Sequence, residues 1–212
     1  MKILFRLLFI LFFSFIRNNA CAQYRLGVNS YGMIVNNDTS ALSGVIGSGF
    51  AIDSNIVISS YHLLKNFRQT KKFYRVPYNQ TTPIRLIDSL PAYDIAIFRS
   101  GYYLTNMPMV LGDFKSVRKG DRIGYVGYDK KGAIIYCVGY ISKIDSVKSK
   151  GKWINRITFS AKDLHCHPGS PIINTKGKII AMVISSSINK KADQHVGIVA
   201  YSIMQLKQKR FL

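Results

Sequence analysis

Apolar positions along this chain fall in short runs, each closed off by Gly, Asn, Asp, Ser or Lys. Tyr31 to Val35, Val45 to Ile52, Asn55 to Ser59, Ile84 to Ile87 and Ile95 to Phe98 form a first series. Arg122 to Val126, Ala133 to Ile141, Trp153 to Phe159, Ile179 to Ile184 and Val196 to Val199 form a second. Runs of this kind, punctuated by turn residues, predict short β-strands, and their regular spacing predicts sandwiches or barrels. Helical periodicity is scarce. Tyr61 to Phe67 has room for one short turn, and Ile203 to Lys209 predicts a terminal helix with Ser202 as its N-cap. Between Tyr102 and Lys119 the pattern loosens around Asn106, Pro108, Gly112 and Asp113, which predicts a crossing between two halves of similar size.

The first 22 residues do not belong to that pattern. Lys2 gives a positive start, Leu4 to Ile16 is apolar except for Arg6 and Ser14, and Ala20-Cys21-Ala22 forms an A-x-A-like cleavage site before Gln23. This is the layout of a secretory signal peptide, so the expected mature chain runs from 23 to 212 and is secreted or periplasmic. The apolar stretch is short for a membrane span, and no stable span is expected after cleavage. Asn18 and Asn19 stand where a lipoprotein signal wants a Leu-like and a small residue, which argues against lipidation at Cys21.

The chain has 212 residues, 48% of them hydrophobic and 12% aromatic, enough for a sizeable core. Its 30 Lys and Arg face 10 acids, every one an Asp. Removal of Lys2, Arg6 and Arg17 with the leader leaves the rest strongly basic, which favours anionic surfaces non-specifically. A specific nucleic-acid partner is not expected. There is no helix-turn-helix, zinc or RNA-recognition signature, and the basic residues are scattered through Lys71-Lys72, Lys130-Lys131, Lys148 to Lys152 and Lys190-Lys191. Beyond the leader only Cys137 and Cys166 remain; export permits a bridge between them, but two cysteines make no disulfide framework, and two small buried thiols is the plainer expectation.

Four separated segments carry a family resemblance. Gly47-Ser48-Gly49-Phe50-Ala51-Ile52 followed by Ile56-Val57-Ile58-Ser59-Ser60-Tyr61-His62 is similar to the strand pair that leads to the catalytic histidine of trypsin-like serine peptidases. Tyr93-Asp94-Ile95-Ala96-Ile97 resembles the segment bearing their catalytic aspartate, and Ile157 to Asn174 the strand and loop that deliver their nucleophile. Gly177 to Ala181 and Val196 to Ala200 resemble the closing strands. The bacterial HtrA/Deg branch is the most similar, although no PDZ module is expected after Leu212. The resemblance implies an all-β fold of two six-stranded barrels, the first about 30–104 and the second about 115–202. It also implies a serine endopeptidase triad with no cofactor and no metal, and a peptide or protein ligand in the cleft between barrels.

In such a triad an imidazole removes the proton of a serine hydroxyl while a carboxylate holds the imidazole in the right tautomer. The resemblance puts His62 in the first role and Asp94 in the second. The nucleophile departs from the pattern. Aligned without gaps from Asn174 backwards, Gly169-Ser170-Pro171 match the family's G-[GS]-P and Pro168 falls on the serine, with neither hydroxyl nor thiol. A shifted alignment makes Ser170 the nucleophile. Pro168 then occupies the position two residues earlier, whose N–H the family uses in the oxyanion hole, and proline has none; one lost donor is worth roughly 100- to 1,000-fold in turnover. Both alignments predict impaired or absent catalysis, with a peptide-binding pseudoprotease as one outcome and an active enzyme using His62, Asp94 and Ser170 as the alternative.

Two other chemistries compete for the same loop. Cys166 is a possible thiol nucleophile but lies two residues early. His165 and His167 alternate as two metal ligands on a strand would, yet no third or fourth ligand is visible and His195 is remote. The specificity pocket that the resemblance implies is walled by Ser160 to Asp163 and Ala181 to Ser185, where Asp163 and Lys162 pull in opposite directions.

Overall fold

The computed structural model describes residues 30–36, 45–64, 71–75, 80–128, 134–161, 167–189 and 194–199. The expected leader, the Ile203 to Lys209 segment, His165, Cys166, Lys162 and Asp163 lie outside them. No helix among the described residues is long and apolar enough to cross a membrane.

Among the described residues twelve strands close into two antiparallel barrels. The first is built from β1 (Tyr31–Asn36), β2 (Val45–Ala51), β3 (Ile56–Ser60), β4 (Lys71–Arg75), β5 (Gln80–Leu90) and β6 (Ile95–Ser100), in the order β1-β2-β3-β6-β5-β4. The second uses β7 (Arg122–Tyr128), β8 (Ile134–Ser149), β9 (Lys152–Ala161), β10 (Pro171–Asn174), β11 (Ile179–Asn189) and β12 (Gln194–Val199), in the order β10-β11-β12-β9-β8-β7. Closure pairs each strand with two neighbours over at least part of its length, so a strand survives with few apolar residues. That is why β4, Lys-Lys-Phe-Tyr-Arg with Phe73 fully buried, escapes a search for apolar runs. The Tyr61 to Phe67 turn is a 3₁₀ turn over Tyr61–Leu64.

The continuous apolar runs in β3 and β6 have a tertiary cause. Val57, Ala96 and Phe98 face the interior of the first barrel with Ile34, Phe73 and Ile84. Their neighbours Ile56, Ile58, Ile95 and Ile97 face the other way and pack with Ile173, Ile179 and Met182 of the second barrel. A strand buried on both faces has no polar side to alternate with. Each Ile or Phe sealed in this seam contributes roughly 1.5–3 kcal/mol. The crossing segment straps the halves together. Leu104 N–H donates to the Ser54 carbonyl at 2.7 Å and Met109 N–H to Ala51 at 2.9 Å, then Gly112 N–H reaches Ile179 at 2.7 Å.

Candidate active site

His62 and Asp94 are 32 residues apart and meet because β3 and β6 are antiparallel neighbours. Ser60 at the end of β3 pairs with Ile95 at the start of β6. The ladder continues one step further, with Tyr61 N–H donating to the Asp94 carbonyl at 2.9 Å. The chain then turns into the 3₁₀ segment, which lifts the imidazole out of the sheet. On the other side Pro91–Tyr93 forms a second 3₁₀ turn that ends on Asp94 in the left-handed conformation, φ 53° and ψ 38°. That backbone aims both carboxylate oxygens at His62. Oδ1 accepts the His62 backbone N–H at 2.7 Å. Oδ2 lies 2.7 Å from Nδ1, and because an ionised carboxylate only accepts, Nδ1 carries the hydrogen. The Asp94 side chain is 20% exposed and that of His62 40%, so Nε2 is left toward solvent and the cleft.

Among the described residues no hydroxyl hydrogen-bonds to that Nε2. The loop before β10 is held elsewhere. Ser48 N–H of β2 donates to the Pro168 carbonyl at 2.8 Å, and Gly169 N–H donates to Val183 of β11 at 2.8 Å. Ser60 Oγ donates to the same Val183 carbonyl at 3.2 Å. The loop is thereby bolted to both barrels at their seam. Pro168 is the residue it presents there: its carbonyl and the side chain of Leu63, next to His62, both converge on Gly47.

Ser170 is turned inward. It is 0% exposed, and its Oγ lies 3.0 Å from the Tyr31 hydroxyl, which itself lies 2.8 Å from Ser48 Oγ. Its main chain is committed as well, with Ser170 N–H donating to His167 at 3.1 Å and its carbonyl accepting from Val183 at 2.9 Å. The geometry thus brings His62 and Asp94 together, sets Pro168 at the seam beside them, and gives the Ser170 hydroxyl to Tyr31. Sequence reasoning missed Tyr31 and Ser48 as partners of this loop, since nothing local marks a tyrosine on β1 as the neighbour of residue 170. It also missed the cations over the two tyrosines that precede the dyad residues in sequence: Lys150 Nζ is 5.9 Å from the Tyr61 ring centroid and Lys152 Nζ 5.9 Å from that of Tyr93.

No group of three or more His, Cys, Asp or Glu among the described residues could hold a metal ion. Cys137 is half-buried on β8, and its candidate bridge partner Cys166 lies outside the described residues. Ser160 is the penultimate residue of β9, and His195 sits on β12 opposite Phe159 in register.

Comparison with known proteins agrees with this architecture. Residues 47–182 match the model of the trypsin-like peptidase domain. Among solved structures, the Rv3671c protease from M. tuberculosis in its active form superposes with a TM-score of 0.73 at 18% identity, covering 92% of this chain and 86% of that one. HtrA-type protease AlgW, solved with a decapeptide, gives 0.72 at 15% identity, covering 90% and 68%. Deg5 gives 0.71 at 19%, covering 89% and 92%. No curated protein sequence matches the chain.

Proposed function

The chain belongs to the trypsin-like peptidase domain family, and from that premise we propose that it is a pseudoprotease whose cleft holds peptides without cutting them. The observation that carries this reading is the environment of Ser170, buried and hydrogen-bonded to Tyr31, while the half-buried Pro168 stands at the seam with its carbonyl bonded to Ser48. An acyl-enzyme needs an oxygen or sulfur to attack the carbonyl and a base to take its proton. His62 with Asp94 is arranged as such a base, and proline at 168 offers it nothing to deprotonate. Proline also lacks an N–H, so with the nucleophile at 168 or at 170 the oxyanion hole would be one donor short. What remains useful is the groove. Peptides bind such clefts by adding a strand to an open edge, through main-chain bonds that need no nucleophile, and AlgW was solved with a decapeptide.

The alternative, an active serine endopeptidase using His62, Asp94 and Ser170, draws its support from the well-formed His62–Asp94 pair. It requires Ser170 to leave Tyr31 and the loop to turn over. A fluorophosphonate probe separates the two. The purified protein should stay unlabelled, and Pro168→Ser, which restores both a hydroxyl and an N–H, should become labelled in a His62-dependent way. Labelling of the parent that disappears in Ser170→Ala and in His62→Ala would establish the enzyme instead.

A further inference from the structure

β8 and β9 run on beyond the second barrel. β12 covers β9 only from Arg156 to Ser160. β8 stays paired with β9 through Ser146–Asn155, Val147–Ile154, Lys148–Trp153 and Ser149–Lys152. These last pairs form a two-stranded ribbon. It closes on Lys150 and Gly151, with φ of 47° and 79°. A two-residue turn with both φ positive ordinarily takes Asn-Gly or Gly-Gly, and a residue with a Cβ is strained there. Lysine at 150 is therefore a local misfit, the kind of outlier that points to a use for the side chain.

The ribbon ends beside the dyad. Lys150 reaches the ring of Tyr61, the residue before His62, and Lys152 the ring of Tyr93, the residue before Asp94. Lys148, Lys150, Lys152 and Trp153 are exposed, Trp153 by 68%. The one acid of the hairpin, Asp145, is already engaged by Arg156 at 2.7 Å and Lys143 at 2.8 Å. Lys148, Lys150 and Lys152 have no carboxylate partner among the described residues. An exposed aromatic face holds an ammonium about as strongly as a surface carboxylate does. The tyrosines thus position the lysines while leaving them free to exchange to an incoming anion.

We infer that the ribbon tip is an acid-selecting clamp on the cleft: Lys150 and Lys152 receive Asp or Glu side chains of a peptide lying beside His62 and Asp94. This rests on the peptide-groove reading above and adds to it the class of ligand. Trp153, paired with Lys148 in register and 68% exposed, is not part of the clamp.

Fluorescence anisotropy with three labelled peptides of one length, sharing apolar residues and differing in acidic, neutral or basic polar positions, tests it. The acidic peptide should bind most tightly. Lys150→Ala/Lys152→Ala should weaken it roughly fivefold, as loss of two exposed charge pairs would, and leave the neutral peptide unchanged. Lys176→Ala/Lys178→Ala, in the β10–β11 turn, removes the same charge away from the ribbon and should change neither. If the two double variants weaken the acidic peptide equally, the whole basic surface is responsible and the clamp is refuted. If acidic and neutral peptides bind alike, the clamp also fails while the groove survives. If no peptide binds, the groove reading falls and takes the clamp with it.

Discussion

Gly169 holds a φ of 89° with its α-carbon pressed against the carbonyl of Ser48, so a Cβ there has neither the backbone conformation nor the space. Its N–H is meanwhile spent on Val183. The glycine is what lets the loop cross the seam tightly enough for Pro168 to bond Ser48 and Ser170 to reach Tyr31. Gly169→Ala should lower stability by about 2–4 kcal/mol, measured by urea denaturation; a change within about 0.5 kcal/mol, typical of a free surface site, would mean the loop is not wedged as described. Asp94 makes a similar point about retention. Its carboxylate binds the backbone N–H of His62 as well as the ring, so it anchors the 3₁₀ turn whether or not the imidazole ever moves a proton. A well-formed His–Asp pair is thus compatible with a lost nucleophile.

The β8–β9 ribbon is rooted by an ion cluster where it leaves the barrel. Asp145 and Arg156 are directly opposite in register and share two hydrogen bonds, of 2.7 and 2.9 Å. The Arg156 hydrogen bonds lower the Asp145 pKa to about 2 from an ordinary 3.8, against partial burial and with help from Lys143. The same contact raises Arg156. A carboxylate depressed in the folded state stabilises it fully above its unfolded value, and the stabilisation disappears as pH falls through the folded one. At neutral pH Asp145→Asn should therefore cost about 1–2 kcal/mol. The difference in Tm between parent and variant should close between pH 4 and pH 2. A difference that persists undiminished to pH 2 would show that the charge pair is not what the substitution removes.

At the scale of the molecule, two barrels share an apolar seam and carry 30 basic residues against 10 acidic ones. That surplus keeps the surface solvated and draws it toward anionic material of any kind. Where the ribbon bends over the first barrel, Lys150 and Lys152 lie on the rings of Tyr61 and Tyr93, the residues before His62 and Asp94. We propose export as the setting, to a secreted or periplasmic location, on the strength of the Met1 to Ala22 segment. N-terminal sequencing of protein recovered outside the cytoplasm should begin at Gln23; a chain still beginning at Met1 would contradict cleavage.

Strand-forming runs, their grouping into two halves, and the proline standing in a family loop were all legible from residue order, because burial demands apolar side chains and turns demand glycine. Boundaries were less so. β5, β8 and β11 extend well past their apolar stretches to Gln80–Leu90, Ile134–Ser149 and Ile179–Asn189, and β4 and β10 were passed over, since ladder bonds supplied by neighbouring strands carry polar residues into a sheet. Only the tertiary structure decided which way the Ser170 hydroxyl turns and where the ribbon lysines come to rest. Both depend on partners more than 80 residues away, Tyr31 for the one and Tyr61 for Lys150, and no local pattern encodes a contact between side chains that the fold alone brings together.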